Sequence, residues 1–299
     1  MSAGPEIVVS ASPTVGEAAG VEPQVSRRGL VVAVANQKGG VGKTTTTVNV
    51  AAGLAELGAR ALVLDMDPQA NATTALGVDP RVERLSVVDA LLRDLPLETL
   101  LVETAVAGLC LGPASPGLAD AELELVPQLS RELRLRRALA PVRDRFDYVL
   151  VDCPPSLGLL TVNGLAAAQT VLVPMQAEYY ALEGLTQLLR TLRLVQENLQ
   201  PTLALGAIVL TMFDPRSKLA AEVEDEVRRH FGDTVCATVI PRSVRLSEAP
   251  SFGQPITLFD PISRGAASYR ALAKEVDARA ARWLGTGAGL TPTSEHASS

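Results

Sequence analysis

The sequence predicts a single α/β domain, with a mostly parallel, twisted β-sheet flanked by helices on both faces. Three features predict it. Apolar runs of strand length alternate with segments of helical periodicity along most of the chain, and that alternation builds parallel sheets covered on both sides. One such run, residues 30–35, feeds a glycine-rich loop, Asn36-Gln37-Lys38-Gly39-Gly40-Val41-Gly42-Lys43-Thr44-Thr45-Thr46, that opens onto a helical segment. Two later runs end in carboxylates, Asp65 and Asp152, at the strand ends where an α/β sheet forms a ligand crevice.

The loop carries the first chemistry. Between a strand and a helix, glycines let consecutive backbone N–H groups turn onto phosphate oxygens, and the helix N-terminus adds favourable partial charge. Gly39, Gly40, Val41, Gly42, Lys43, Thr44 and Thr45 then cradle a nucleotide's phosphates. Lys43 reaches the β- and γ-phosphates, and the Thr44 hydroxyl ligates Mg²⁺. The apolar spacing of residues 47–57 suits a helix stopped by Gly58. The ordinary pattern has glycine where this chain has Gln37, and this chain offers a second lysine, Lys38, instead. One lysine already serves the bound nucleotide. A second at the loop entrance has no evident job in its own subunit, which points to a γ-phosphate held by a partner. The competing reading is a glycine turn with solvent-facing lysines; the flanking strand and helix weigh against it.

Residues 60–65 read as a buried strand running into Asp65-Met66-Asp67-Pro68-Gln69-Ala70-Asn71-Ala72-Thr73. Asp65 and Asp67 alternate in direction on an extended chain, so they are not expected on the same ligand. A capped turn with solvated carboxylates is the alternative for this pair. An amphipathic helix is expected over 85–95, a short strand over 108–113, and a helix with a basic, solvated face over 130–139. Residues 148–152 form a strand ending in Asp152, suited to holding the hydration shell of Mg²⁺. Cys153 has no neighbouring base and reads as a buried apolar side chain. Then come a strand at 170–174, a long helix at 181–198 and a strand at 203–212. A turn at 213–218 with exposed Arg216 and Lys218 leads to an amphipathic helix at 219–231. A strand at 235–240 and a closing helix at 262–283 complete the order.

Composition narrows the function classes. With 299 residues, 47% of them hydrophobic, the chain can bury one sizeable core. A formal net charge of -6 argues against a generic polyanion binder, so any nucleic-acid surface is a local patch. The cysteines, Cys110, Cys153 and Cys236, lack metal-ligand spacing and fit a reducing compartment, which also disfavours a metal-cluster protein. With only His230 and His296, imidazole catalysis is not expected. No stretch is long and apolar enough to span a bilayer. Residues 1–29 and 285–299 are expected to be disordered tails around a domain over 30–284.

Residues 38–45, KGGVGKTT, resemble the deviant Walker A motif of the ParA/MinD group of P-loop ATPases. Residues 152–158, 178–185 and 239–251 look like the chromosomal ParA proteins, also called Soj, and the resemblance runs from about residue 30 to 283. The resemblance implies an ATPase using ATP and Mg²⁺, in which ATP closes a homodimer and Lys38 and Lys43 serve the phosphates. It places Asp67 on the attacking water, beside a metal site drawn from Thr44, Asp67 and Asp152. The segment 65–73 resembles the family's switch, with Met66 and Ala70 as departures; Ala70 stands where the family has glycine. Pro241 and Ser243 match positions near the adenine base, and Ser243 departs from the usual asparagine. Arg216, Arg242 and Arg245 match a surface for nonspecific double-stranded DNA, which residue composition alone does not reveal. The implied partner is a ParB-like centromere-binding protein, and the implied place is cytoplasmic and nucleoid-associated. A MinD-like membrane ATPase is the alternative, though the Gly/Thr/Ser-rich end lacks the expected membrane helix. The N-terminal tail is too short for the helix-turn-helix of larger plasmid relatives. A non-enzymatic ATP switch on the same loop is the other alternative.

Overall fold

Buried strands that alternate between two cores set the architecture. A computed structural model describes residues 29–178 and 181–285. Among these, seven strands form one sheet: β1 (Leu30–Val34), β2 (Ala61–Asp65), β3 (Val102–Glu103), β4 (Leu109–Gly112), β5 (Tyr148–Asp152), β6 (Thr170–Gln176) and β7 (Ala204–Thr211). Their order is β3-β4-β2-β5-β1-β6-β7, parallel throughout except for the antiparallel edge strand β3. The three central strands β1, β2 and β5 are buried along their whole length, as a sheet covered on both faces requires. Val31, Ala33, Leu62, Leu64, Val149 and Val151 face one core with Leu118, Leu160 and Leu188. Leu30, Val32, Val63 and Leu150 face the other with Leu54, Tyr269 and Leu272.

Register positions the site. Val34 on β1 and Asp65 on β2 both pair with Asp152 on β5, so three strands end level with one another. The chain leaves β1 toward β2 on one side, while β6 lies against β1 on the other. The loop after β1 therefore sits at a topological switch point, where crevices open in such sheets.

Several expectations shift on the structure. The helix expected over 85–95 is shorter, Val87–Leu92, and starts at a capping box in which Ser86 and Asp89 satisfy each other's termini. The 130–139 helix divides into a 3₁₀ turn and a helix at Arg134–Leu139, with Ser130 at φ 52° before it. The closing helix begins two residues late, at Arg264, and runs to Gly285. The strand expected at 235–240 does not form. Val235 and Pro241 each touch β7's line at one isolated bridge, while the N–H groups of Ala237 and Thr238 donate to the Glu275 carboxylate at 2.8 and 3.0 Å. That carboxylate takes the donors a ladder would need. The helix Leu159–Ala167 lies between β5 and β6 with no counterpart in the periodicity reading. Of the tails expected at 1–29 and 285–299, all but Gly29 and Gly285 lie outside the described residues.

The helix Lys43–Glu56 packs against the closing helix at Gly53, where an added Cβ would stand 2.7 Å from the Cβ of Ala273. Gly53→Val should lower stability by about 1–3 kcal/mol through overpacking. In urea unfolding, Ala273→Gly should cost less in that background than in the wild-type chain. Additive losses would show that the two helices yield without strain.

Candidate nucleotide-binding site

The loop after β1 wraps the N-terminus of the helix Lys43–Glu56, and that terminus carries no side-chain cap. Its free N–H groups face a cavity of about 550 Å³, a size suited to a small ligand. Gly40 (φ 74°) and Gly42 (φ 84°) hold left-handed conformations that only glycine adopts without strain. A Cβ at Gly39 or Gly40 would meet no protein atom within 4 Å, so the space these glycines leave is open to a ligand. Gly39, Gly40, Gly42, Lys43, Thr44 and Thr45 line the cavity. Val41 is buried, and its carbonyl accepts a hydrogen bond from the Thr211 hydroxyl at 2.8 Å, which ties the loop to β7.

Lys43 is 6% exposed, and its Nζ donates to the Lys38 carbonyl at 3.0 Å. Burial lowers its pKa, while the nearby carboxylates of Asp152 and Asp67 pull the other way. Asp152 is fully buried. Its Oδ2 accepts from the Thr44 hydroxyl at 2.7 Å and its Oδ1 from the Thr47 hydroxyl at 3.0 Å. Burial raises its pKa, and the neighbouring Asp65 adds to the rise. A hydroxyl beside a buried carboxylate, under open phosphate-binding donors, fits Mg²⁺, which takes most of its oxygens from phosphate and water. The described residues contain no cluster of three or more His, Cys, Asp or Glu placed to cage a metal.

Asp65 and Asp67 have separate surroundings. Asp65, also fully buried, accepts from the Thr73 N–H (2.8 Å), the Thr73 hydroxyl (2.7 Å) and the Asp67 N–H (3.1 Å). Burial raises its pKa, and these donors oppose the rise. Its job is to brace the turn. Asp67 lines the cavity and accepts from the Gln69 N–H at 2.9 Å, within reach of a bound phosphate chain. Ala70, which follows, is buried at φ 52°, a left-handed conformation that costs an L-residue roughly 1–2 kcal/mol.

Other expected residues lie elsewhere. Lys38 stands outside the cavity lining, and its Nζ forms an ion pair with Glu178 just past β6. Pro241 and Ser243 also lie outside that lining: Pro241 bridges to Phe213, and Ser243 starts the short helix Val244–Glu248. The lining also takes in Met212, Pro250, Ser251 and Gln254, of which Pro250 and Ser251 fall in the 239–251 stretch but were assigned no role there. Cys153 is buried, which pushes its thiol pKa far up and leaves it inert. The three arginines gather at neighbouring turns, because the Phe213–Pro241 bridge joins their segments. Arg216 binds Asp214 through two hydrogen bonds of 2.9–3.0 Å. Arg245 pairs with Glu248 (3.1 Å) and Asp260 (3.2 Å) and lies over the Phe259 ring. Arg242 is exposed beside Asp214.

Known proteins share this arrangement. A family model described as an AAA domain matches residues 29–205. The sporulation initiation inhibitor protein Soj of Bacillus subtilis is 54% identical over 84% of this chain and 99% of its own. The chromosome partitioning protein ParA of Myxococcus xanthus is 52% identical over 83% of this chain and 88% of its own. A solved Mycobacterium smegmatis structure, described as cobyrinic acid a,c-diamide synthase with bound ADP and magnesium, is 41% identical with a TM-score of 0.74. It covers 86% of this chain and 96% of that one.

Thr73 joins three elements, since its hydroxyl also accepts from the Ala114 N–H at 2.9 Å. Thr73→Val keeps the shape and leaves Asp65 and Ala114 each short of a partner, so stability should fall by about 1–3 kcal/mol. Thr73 does not line the cavity, so nucleotide affinity should persist. Denaturant unfolding without nucleotide checks this; an unchanged midpoint would remove Thr73 from the bracing role.

Proposed function

The chain belongs to the ParA/Soj family of chromosome-partitioning P-loop ATPases, and we propose that it acts as an ATP-driven switch on DNA. ATP with Mg²⁺ occupies the cavity, two copies close face to face over their nucleotides, and the dimer holds double-stranded DNA nonspecifically. A ParB-like partner then stimulates hydrolysis and release. The observation that carries this reading is the division of labour between the loop lysines. Lys43 is buried within its own cavity at 6% exposure, whereas the Lys38 side chain is 41% exposed and outside it. A cation placed there serves a phosphate that its own subunit does not hold.

Within the site, Asp67 orients a water for in-line attack on the γ-phosphorus, and the bond to the β–γ bridging oxygen breaks. Lys43 and the loop N–H groups stabilise charge on the phosphate oxygens as it shifts toward the leaving ADP. Thr44 and Asp152 would hold Mg²⁺, which when bound would supply positive charge against the phosphates. Met212 and Pro250 also line the cavity and offer apolar surface to a base. Arg216, Arg242 and Arg245 provide the DNA surface, at which phosphates replace Asp214, Glu248 and Asp260 as partners. These pairs are exposed and screened by water, so exchanging them for DNA phosphates costs little. The MinD-like alternative has less behind it, because the Soj and ParA relatives are 54% and 52% identical to this chain, whereas the solved MinD structures are 25% and 24% identical.

DNA binding tests the proposal directly. Purified protein should bind unrelated duplexes alike with ATP and poorly with ADP or no nucleotide, and Lys43→Ala should abolish the difference. Arg245→Ala should lower the salt slope by roughly 0.9 for each DNA phosphate the protein ceases to neutralise, while sparing DNA-free hydrolysis. Nucleotide-independent binding would overturn the switch.

Asp67→Ala should keep ATP affinity and stop turnover, accumulating ATP-bound dimer. Hydrolysis near the wild-type rate would remove Asp67 from the water.

A further inference from the structure

Two walls of the cavity meet at a pair of glycines. One wall is the helix Asn71–Ala75, which follows the Asp67 turn and lines the cavity through Asn71, Thr74 and Ala75. The other is the segment 249–254, which lines it through Ala249, Pro250, Ser251 and Gln254. Gly77 (φ 82°) follows the first wall and Gly253 (φ 64°) lies in the second, both in left-handed backbone. A Cβ added at Gly253 would stand 2.7 Å from the Gly77 Cα and 3.2 Å from its nitrogen. A Cβ added at Gly77 would stand 3.2 Å from the Gly253 carbonyl oxygen. Backbone meets backbone there, with no side chain between them to repack and absorb a movement.

The second wall runs on into the arginine turns. The turn Ala249–Phe252 extends the helix Val244–Glu248, which carries Arg245. Arg245 lies over Phe259 and pairs with Asp260, and the Phe259 ring packs on Phe252 at 4.8 Å, so residues 244–260 form one block. Two contacts tie that block to the nucleotide cavity. In one, the Ile256 N–H donates at 2.7 Å to Oδ1 of Asn49 on the loop helix. The other is the glycine pair.

We propose that the Gly77–Gly253 contact is a coupling joint, which carries the state of the Asp67 segment to the turn bearing Arg245. The γ-phosphate then sets DNA affinity inside each subunit as well as through assembly. This rests on the proposed ATP switch and arginine surface, and it adds the route between them. In that function the loop helix meets the phosphates that ADP and ATP share, so the Asn49 tie cannot tell the two nucleotides apart. The Asp67 segment faces the γ-phosphate that ADP lacks. A signal that distinguishes them enters the block at Gly77, because only contacts that differ between the two states shift the equilibrium. The joint also works in reverse: DNA on Arg245 favours ATP over ADP by the same factor.

Hydrogen exchange tests this, read by mass spectrometry on the full chain at concentrations too low for dimers, with ADP and with a non-hydrolysable ATP analogue. In the wild-type chain, replacing ADP by the analogue should change exchange at residues 65–77 and also at 244–252. Gly253→Ala makes the tighter clash and should keep the first change while losing the second. Gly77→Ala makes the looser one and should lose part of the second; it carries the test alone if Gly253→Ala does not fold. Gly58→Ala is the control. Gly58 has φ 87° and no atom within 4 Å of an added Cβ, so the substitution strains the backbone without meeting a neighbour and should keep both changes. Neither Gly77 nor Gly253 lines the cavity, so nucleotide affinity without DNA should stay close to wild type. DNA affinity with the analogue relative to ADP should fall by about 5-fold or more in Gly253→Ala, the lower end of ordinary coupling between sites. A change at 244–252 that survives both substitutions overturns the joint. So does its absence in the wild-type chain, and the ATP switch then rests on assembly alone. Equal loss in Gly58→Ala also overturns it, since backbone strain anywhere would then suffice. A wild-type chain with no difference between analogue and ADP at 65–77 overturns the γ-phosphate sensing on which the joint depends.

Discussion

Asp152 sits fully buried at the end of the central strand, and its carboxylate must be satisfied by the protein. Two hydroxyls of the loop helix do this, Thr44 and Thr47. An unpaired carboxylate in that position would cost several kcal/mol, so the helix start is fixed to the end of β5. The same contact leaves the loop N–H groups pointing past the helix terminus into the cavity. Thr44 is thereby held beside Asp152, in the pairing proposed to hold Mg²⁺. Preorganisation of the phosphate site and satisfaction of a buried charge are one interaction.

The second buried carboxylate extends this logic to the moving part. Asp65 lies in register with Asp152 on the adjacent strand and spends its oxygens on the turn that carries Asp67. Through Thr73 the network reaches Ala114, beyond the end of β4. Asp67 is thus delivered to the cavity by a turn anchored at both ends. Ala70, in left-handed backbone between them, adds strain at the point where the segment must change direction. A glycine there would relax the turn.

How much of this was legible depended on the kind of signal. Strands β1, β2, β4, β5, β6 and β7, and the carboxylates that end β2 and β5, follow from short apolar runs, because burial on both faces leaves a run of β-branched and aliphatic residues. The helix Leu159–Ala167 escaped because it is apolar nearly all round and shows no polar face to set a period. Residues 235–240 read as a strand since their side chains suit one, but the outcome was decided by Glu275, far away in the closing helix. Within the site, Lys43, Thr44, Asp67 and Asp152 were marked by local motifs. Thr47 was not, and Glu178 and Thr73 fall in stretches that carry the family resemblance without a role of their own there, because their contacts span 8 to 140 residues of chain. Pro241 and Ser243 were assigned by resemblance and lie beyond the cavity lining.

The arginine surface shows why nucleotide control of DNA binding would need assembly. Arg216, Arg242 and Arg245 are balanced locally by Asp214, Glu248 and Asp260, and the whole chain carries a net charge of -6. One copy therefore offers few phosphate contacts, each displacing a carboxylate and each weakened by salt. Two copies on one duplex double the contacts, and the second set binds at the effective concentration the first set creates. A surface of more strongly basic character would hold DNA as a monomer and escape control by ATP. Near-neutrality at these turns is thus what the proposed switch would require.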